Sequence, residues 1–301
     1  MPRSAPRDWI RLARVRQWSK NLLLYAAFLF TAGEAWDVGG GNTEGVTLFL
    51  RATLGFVAFC LLSSAGYLLN DARDAALDRE HPRKRDRPIA AGRVTPTAAR
   101  QAAAGLVVAG LALSAPLGPW FVAAAAGYVA STVIYSVALK RVPVVDAVSV
   151  AGLFALRALA GALAIEVEAS PWILVCTFAG ALYVSAVKRQ QEQWLLGPRV
   201  AAHRESLSGR ARWPRWLVAL SGSATFALYV QYTFSAPNLP EDYSMTWLTA
   251  PFVGAAVLRY YWVARTNPAR DAEEIAFRDP VTLVLVVGFV VVAVTRLLFA
   301  S

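Results

Sequence analysis

The stretch NDARDAALDREHPRKRDRPIAAGRVTP, residues 70–96, follows directly on the apolar run VTLFLRATLGFVAFCLLSSAGYLL, residues 46–69. Together they place a membrane helix against water with its acids at the boundary. Asn70, Asp74 and Asp78 are spaced i, i+4 and i+8, and Asp71 lies three residues before Asp74, so the spacing predicts one helical face for all four. Three carboxylates on one stripe repel one another unless a cation sits between them. A hard divalent ion such as Mg²⁺, shared with a substrate phosphate, meets that need. Arg79, Arg83, Lys84, Arg85 and Arg87 follow at once, a basic run suited to phosphate oxygens. The pattern reads as a site for a diphosphate with its metal. Its plain alternative is a solvated helix end whose cations only set topology.

Composition supports the membrane reading. Of 301 residues, 56% are hydrophobic and 17% charged, with a mean hydropathy of +0.43, too apolar for an ordinary soluble domain. Nine spans are expected, at roughly 22–33, 47–70, 97–115, 118–138, 144–165, 171–188, 216–235, 245–264 and 280–300. They use up the chain, so one domain over 1–301 is expected, led by an amphipathic segment over 1–21, with no cleavable signal.

The loops 34–46, 166–170 and 236–246 contain acids but no Lys or Arg, while the alternate set is basic. That asymmetry puts the N-terminus in the cytoplasm and the C-terminus outside a cell membrane. Only Arg51, Arg157 and Arg296 escape it. The net charge of +10 therefore lines membrane loops facing anionic lipid and gives no reason to expect nucleic acid. Cys60 and Cys176 lie in apolar spans and read as packing residues, and His81 and His203 fit no zinc pattern.

Other charged groups fall on the same expected side. In RVRQWSKN, Arg14 to Asn21, Trp18 suits an interfacial anchor, and Arg16 and Lys20 are four apart on one face. They are either part of a surface helix or further phosphate ligands. Lys140, Arg141 and Asp146 gather between the fourth and fifth spans. Arg157, 11 residues beyond Asp146, shares its face about 16 Å along the axis. A guanidinium in an apolar span is either a functional group or half of a buried structural pair. Lys188 and Glu192 are likewise a helix-stabilising pair or a second half-site.

NDxxDxxxD, carried by Asn70, Asp71, Asp74 and Asp78, together with YxxxLKR from Tyr135 to Arg141, resembles the UbiA superfamily of intramembrane prenyltransferases. The resemblance implies an all-α nine-helix bundle whose active-site cavity opens to the cytoplasm and to lipid. RQWSKN, YLLNDARDAALDREHPRKRDRPIAAG, LKRVPVVDAVSVAGLFALRALAG and LRYYW with EEIAFRDP are similar to its decaprenyl-phosphate phosphoribosyltransferase branch. That branch moves 5-phosphoribose from phosphoribosyl pyrophosphate to a polyprenyl phosphate, yielding a lipid-linked pentose for cell-envelope polysaccharide.

The superfamily's second Asp-rich motif is replaced here by Lys188, Arg189, Gln190, Gln191 and Glu192. Fewer acids and more cations suit a load of three phosphate groups. On this resemblance Asn70, Asp74 and Asp78 position Mg²⁺, with Asp71 in support. Arg73, Lys84 and Arg87 join the pyrophosphate contacts. Lys140, Lys188 and Arg189 serve the 5-phosphate or lipid phosphate, with Arg16 and Lys20 behind them. Asp146 binds a ribose hydroxyl or orients Lys140, and Tyr135, Arg157 and Glu192 complete the expected contacts. The alternative within the superfamily is transfer of a prenyl group from a prenyl diphosphate to an aromatic or other lipophilic acceptor. A transporter of anionic lipids would need an inverted repeat of broken helices, which is not evident. A homo-oligomer is left open.

Overall fold

A computed structural model describes residues 5–31, 35–36, 43–80, 84–197, 200, 205–207, 211–235 and 246–299; the side chains of 235, 246, 273, 277, 294 and 296–299 are not among the described parts. His81, Arg83 and His203 lie outside the described residues, as do the acids of loops 34–46 and 236–246 other than Glu44. Every α-helix and 3₁₀ helix follows the last in chain order, and these are the regular elements described. We number the α-helices α1 Pro6–Ala13, α2 Ala26–Phe30, α3 Thr43–Arg73, α4 Ala75–Glu80, α5 Pro96–Ser114, α6 Pro119–Val137, α7 Val145–Ala164, α8 Pro171–Leu196, α9 Trp213–Ser235, α10 Ala250–Thr266, α11 Ala272–Arg278 and α12 Pro280–Phe299.

Proline punctuates these boundaries. It opens α1, α5, α6, α8 and α12, where its missing N–H is one that a first turn leaves unbonded anyway. Thr95 caps α5 by accepting from Ala98 N at 3.2 Å, and Asp279 caps α12 by accepting from Thr282 N at 2.9 Å. Among the described residues five helices are long and apolar enough to cross a membrane: α3, α5 with its 3₁₀ extension to Leu117, α6, α7 and α8. The expected spans at 216–235 and 245–264 are helical but do not reach that standard. At 17 residues α10 is about 25 Å long, short of a hydrocarbon core of about 30 Å. The expected first span is divided between a 3₁₀ segment, Val15–Tyr25, and the five-residue α2.

The chain packs as two compact units. The first comprises residues 1–139 and 153–169, the second 140–152 and 170–301, so α7 contributes to both. In the first, α3 is the central element. Its side chains Phe59 and Leu62 are buried with Leu24, Phe121 and Tyr128 from the 3₁₀ segment and α6, and Phe59 meets the Tyr128 ring at 5.1 Å. A second cluster sets Leu12 of α1 with Leu68 and Ala72 of α3 and Ile89 and Val94 of the basic loop. That loop is therefore plugged into the unit by its apolar members.

Small residues set the helix spacing. A Cβ on Gly110 would lie 2.6 Å from Leu62 Cδ2, and one on Gly66 would lie 2.8 Å from Thr132 Cγ2. At Gly161 of α7 the added atom would run into the backbone of Leu24, which cannot rotate aside. Gly161→Val is expected to lower stability by about 1–3 kcal/mol through overpacking of this seam, read as a fall in melting temperature in detergent. An unchanged melting temperature would refute the close approach.

In the second unit α8 packs on α9, with Tyr183 and Val187 buried alongside Leu217, Val263 and Ile275. Arg259 of α10 grips Asp279 through two bonds of 3.0 and 2.8 Å, pinning the start of α12. The Arg259 hydrogen bond, reinforced by Thr282, holds the Asp279 carboxyl well below the usual carboxylate range.

Candidate active site

The acid ladder does not ride on one straight helix. α3 ends at Arg73, Asp74 forms a bend, and α4 starts at Ala75. The helical hydrogen bonds nevertheless run through, from Asp74 N to Asn70 O and from Asp78 N to Asp74 O, both at 2.9 Å. Register is kept, and the four side chains divide by direction. Asp71 and Asp78, two turns apart, point inward and are 3% and 4% exposed, while Asn70 and Asp74 remain half-buried at the edge.

The inward pair is closed by arginines. Arg14 Nη2 donates to Asp71 Oδ1 at 2.6 Å. Arg87 Nη1 bridges Asp71 Oδ1 at 3.0 Å and Asp78 Oδ2 at 2.8 Å. Two buried carboxylates thus face two guanidinium groups, the arrangement that buried charge demands. Arg87, expected on phosphate, is held here by the ladder itself, and Asp78, expected on Mg²⁺ with Asn70 and Asp74, is turned inward onto Arg87. Arg14 carries no sequence signal for this role: it reaches Asp71 from a left-handed backbone, φ 50°, with its guanidinium 4.8 Å above the Tyr67 ring. Around this network the loop is braced by Arg93 Nε on Asp8 Oδ1 at 2.9 Å and Arg79 Nε on Ala90 O at 3.2 Å. The bond from Arg93 holds the Asp8 carboxyl below its ordinary range.

Among the described residues no three His, Cys, Asp or Glu side chains converge as a metal cage. The donors at the edge, an Asn amide oxygen and an Asp carboxylate, are hard oxygen ligands. They fit an ion such as Mg²⁺ that takes one or two protein ligands and completes its shell with substrate phosphate and water.

Arg16 and Lys20 do not share a face. They lie in the 3₁₀ segment, where at three residues per turn a spacing of four separates side chains by about 120°. Lys20 Nζ donates to Gln17 Oε1 at 3.2 Å, and Arg16 is exposed. Trp18 Nε1 donates to Ser64 Oγ at 3.0 Å, so it fastens this segment to α3.

Arg157 finds the partners its sequence position withheld. Its Nε donates to Asn21 Oδ1 at 2.8 Å, Nη2 to Tyr128 OH at 2.7 Å and Nη1 to Leu153 O at 2.9 Å. It is 4% exposed, with its guanidinium over the Tyr128 ring, and these hydrogen-bond partners are an amide, a phenol and a backbone carbonyl. Asn21 also donates to Ser63 Oγ and Cys60 Sγ, both α3 side chains, and both cysteines are free thiols. Arg51, another exception to the charge pattern, donates to Ala164 O and pairs with Glu166.

Arg73 turns away from the ladder. Its Nη2 donates to Val137 O at 3.3 Å, and it lines a separate cavity with Arg100. Tyr135 is half-buried on the last turn of α6, and Lys84 is half-buried in the basic loop.

In the second unit Asp146 and Arg189 belong to each other. Arg189 Nε and Nη2 donate to the two Asp146 oxygens at 2.6 and 3.0 Å, with Ser206 Oγ adding a third bond at 3.2 Å. Asp146 is fully buried and Arg189 is 4% exposed. Arg189 also donates to Glu192 Oε1 at 3.4 Å. Lys188 is exposed and Lys140 half-buried. Among the described residues the buried Oε1 of Gln190 has no hydrogen-bond partner, a position the sequence did not single out.

The described residues thus set helices apolar and long enough to cross a membrane beside an Asn–Asp edge and a basic loop. The chain matches the UbiA prenyltransferase family over residues 23–281, and it belongs to that family. It is 35% identical to the decaprenyl-phosphate phosphoribosyltransferase of Mycobacterium tuberculosis over 285 residues, covering 93% of this chain and 91% of the relative. It is 34% identical to the enzyme of the same name from Mycolicibacterium smegmatis, covering 96% and 92%. A UbiA homologue from Archaeoglobus fulgidus, solved with GPP and Mg²⁺, shares the fold with a TM-score of 0.67 at 18% identity, covering 96% of each chain.

Proposed function

We propose that the protein transfers 5-phosphoribose from phosphoribosyl pyrophosphate to a polyprenyl phosphate of decaprenyl type, releasing pyrophosphate. The observation that carries the reading is end-to-end similarity, at 35% identity, to a decaprenyl-phosphate phosphoribosyltransferase. The protein is a transferase, and a divalent metal accords with the Mg²⁺ bound by its archaeal structural relative. Asn70, Asp74 and Asp78 would hold that ion, which would neutralise charge on the departing pyrophosphate.

The chain's own groups do the rest. Lys84 receives the pyrophosphate, and Arg87 turns to it from the ladder, exchanging carboxylate for phosphate oxygens. The bond from the anomeric carbon to the pyrophosphate oxygen breaks with its electron pair leaving on that oxygen, and a lipid phosphate oxygen forms the new bond. That nucleophile is already anionic, so positioning rather than a general base carries the step. Lys140 and Lys188 are proposed for the 5-phosphate or lipid phosphate, and the unpartnered Gln190 Oε1 for a ribose hydroxyl. Arg189 and Asp146 position the helices that carry these groups. The proposed topology is nine spans acting as one domain, with the N-terminus and site mouth cytoplasmic and the lipid tail leaving sideways into the bilayer.

The test is purified protein in detergent with Mg²⁺, labelled phosphoribosyl pyrophosphate and a panel of polyprenyl phosphates. A labelled lipid that disappears with EDTA is expected. Turnover of a prenyl diphosphate with an aromatic acceptor, and of no polyprenyl phosphate, would replace this reading with the prenyltransferase one.

A further inference from the structure

A cavity of about 380 Å³ opens on the side of the first unit, between α3, α5 and α6. Its walls include Gly66, Leu69, Thr132 and Val137, and its two charged members are Arg73, at the end of α3, and Arg100, near the start of α5. Among the described residues no acid lines it, and neither Asn70, Asp71, Asp74 nor Asp78 does. The volume falls within the usual range for a small-molecule pocket, about 300–1,000 Å³.

We propose that this groove holds an anionic membrane phospholipid, its phosphate between Arg73 and Arg100 and its first chain carbons along α3 and α6. Three features converge on that occupant. Both guanidinium groups sit at the same end of three helices that are apolar enough to cross a membrane, where a leaflet presents its headgroups. Arg73 is steadied at the mouth by its bond to Val137 O at 3.3 Å, leaving other N–H donors for a phosphate. Val133 and Val137 of the wall are 41% and 51% exposed, so the groove is open to the bilayer side. Two cations without a lining acid select an anionic headgroup over a zwitterionic one. The polyprenyl phosphate acceptor must reach the donor bound at the ladder, whose residues are absent from this lining, so a resident lipid fits the groove better. The proposal depends on membrane embedding and not on the reaction assigned above.

The test is native mass spectrometry of protein released from nanodiscs containing equal parts phosphatidylglycerol and phosphatidylcholine. The wild type is expected to retain phosphatidylglycerol, and the Arg73→Gln/Arg100→Gln variant to retain it roughly ten-fold less. Val133→Trp, which fills the groove and keeps both arginines, is expected to lose it as well, and it decides the matter alone if the double variant does not fold. Equal retention by both variants, or equal retention of phosphatidylcholine, would overturn the proposal. Displacement of the retained lipid by added polyprenyl phosphate would overturn it too, by giving the groove to the acceptor.

Discussion

Asp74→Asn is expected to slow phosphoribosyl transfer by roughly 10³-fold while leaving the melting temperature in place. Asp74 stands at the bend between α3 and α4, half-buried, and its backbone bonds to Asn70 and Asp78 do not involve the carboxylate. The amide has the same shape and keeps those backbone bonds, so the change removes a charge from the proposed ion while the helical register stays in place. Asp71 and Asp78 are poorer probes, because each is also half of a buried ion pair with Arg14 or Arg87. The measurement is kcat/KM for phosphoribosyl pyrophosphate beside a melting curve. Retention of a tenth of the wild-type rate would remove Asp74 from the metal assignment.

The second large effect is on stability. Asp146→Ala would leave the Arg189 guanidinium, 4% exposed, without its two bonds to Asp146 and with only the longer one to Glu192 among its carboxylate bonds described above. Stripping one partner from a buried pair costs about 3–5 kcal/mol, whereas replacing both with apolar groups of similar volume is often neutral. The single variant should therefore melt far earlier than wild type, and Asp146→Leu/Arg189→Met should recover most of the loss. The double variant would separate the pair's structural role from any direct contact with phosphate. Losses that simply add across the two sites would show that the pairing is not what holds Arg189.

The regular spacing at Asn70, Asp71, Asp74 and Asp78 was enough to locate the acid cluster and its basic loop, because helical periodicity is written in residue intervals. Its internal division was also within reach: positions 71 and 78 are seven apart, two full turns, which is how both come to face inward. What periodicity could not supply was the identity of the counter-ions. Arg14 arrives from 57 residues away on a left-handed turn, and Arg87 from a loop. The same holds for Arg157, whose partner Asn21 is 136 residues distant. Arg16 and Lys20 show the converse failure, an interval of four that means one face in an α-helix and two faces in the 3₁₀ segment formed.

By itself, then, the sequence determined the class of protein: apolar runs too long for soluble helices and a polar cluster at one membrane boundary are local properties of the chain. Tertiary structure decided which charges are buried with partners and which stay at an edge. Arg189 and Asp146 pair in the interior, Arg157 is buried among neutral hydrogen-bond partners, Arg73 is turned to a side groove, and Asn70 and Asp74 are left at the edge. The physical reason is that a buried charge requires hydrogen-bonding partners, charged or neutral, and those partners are chosen by packing in space rather than by separation along the chain.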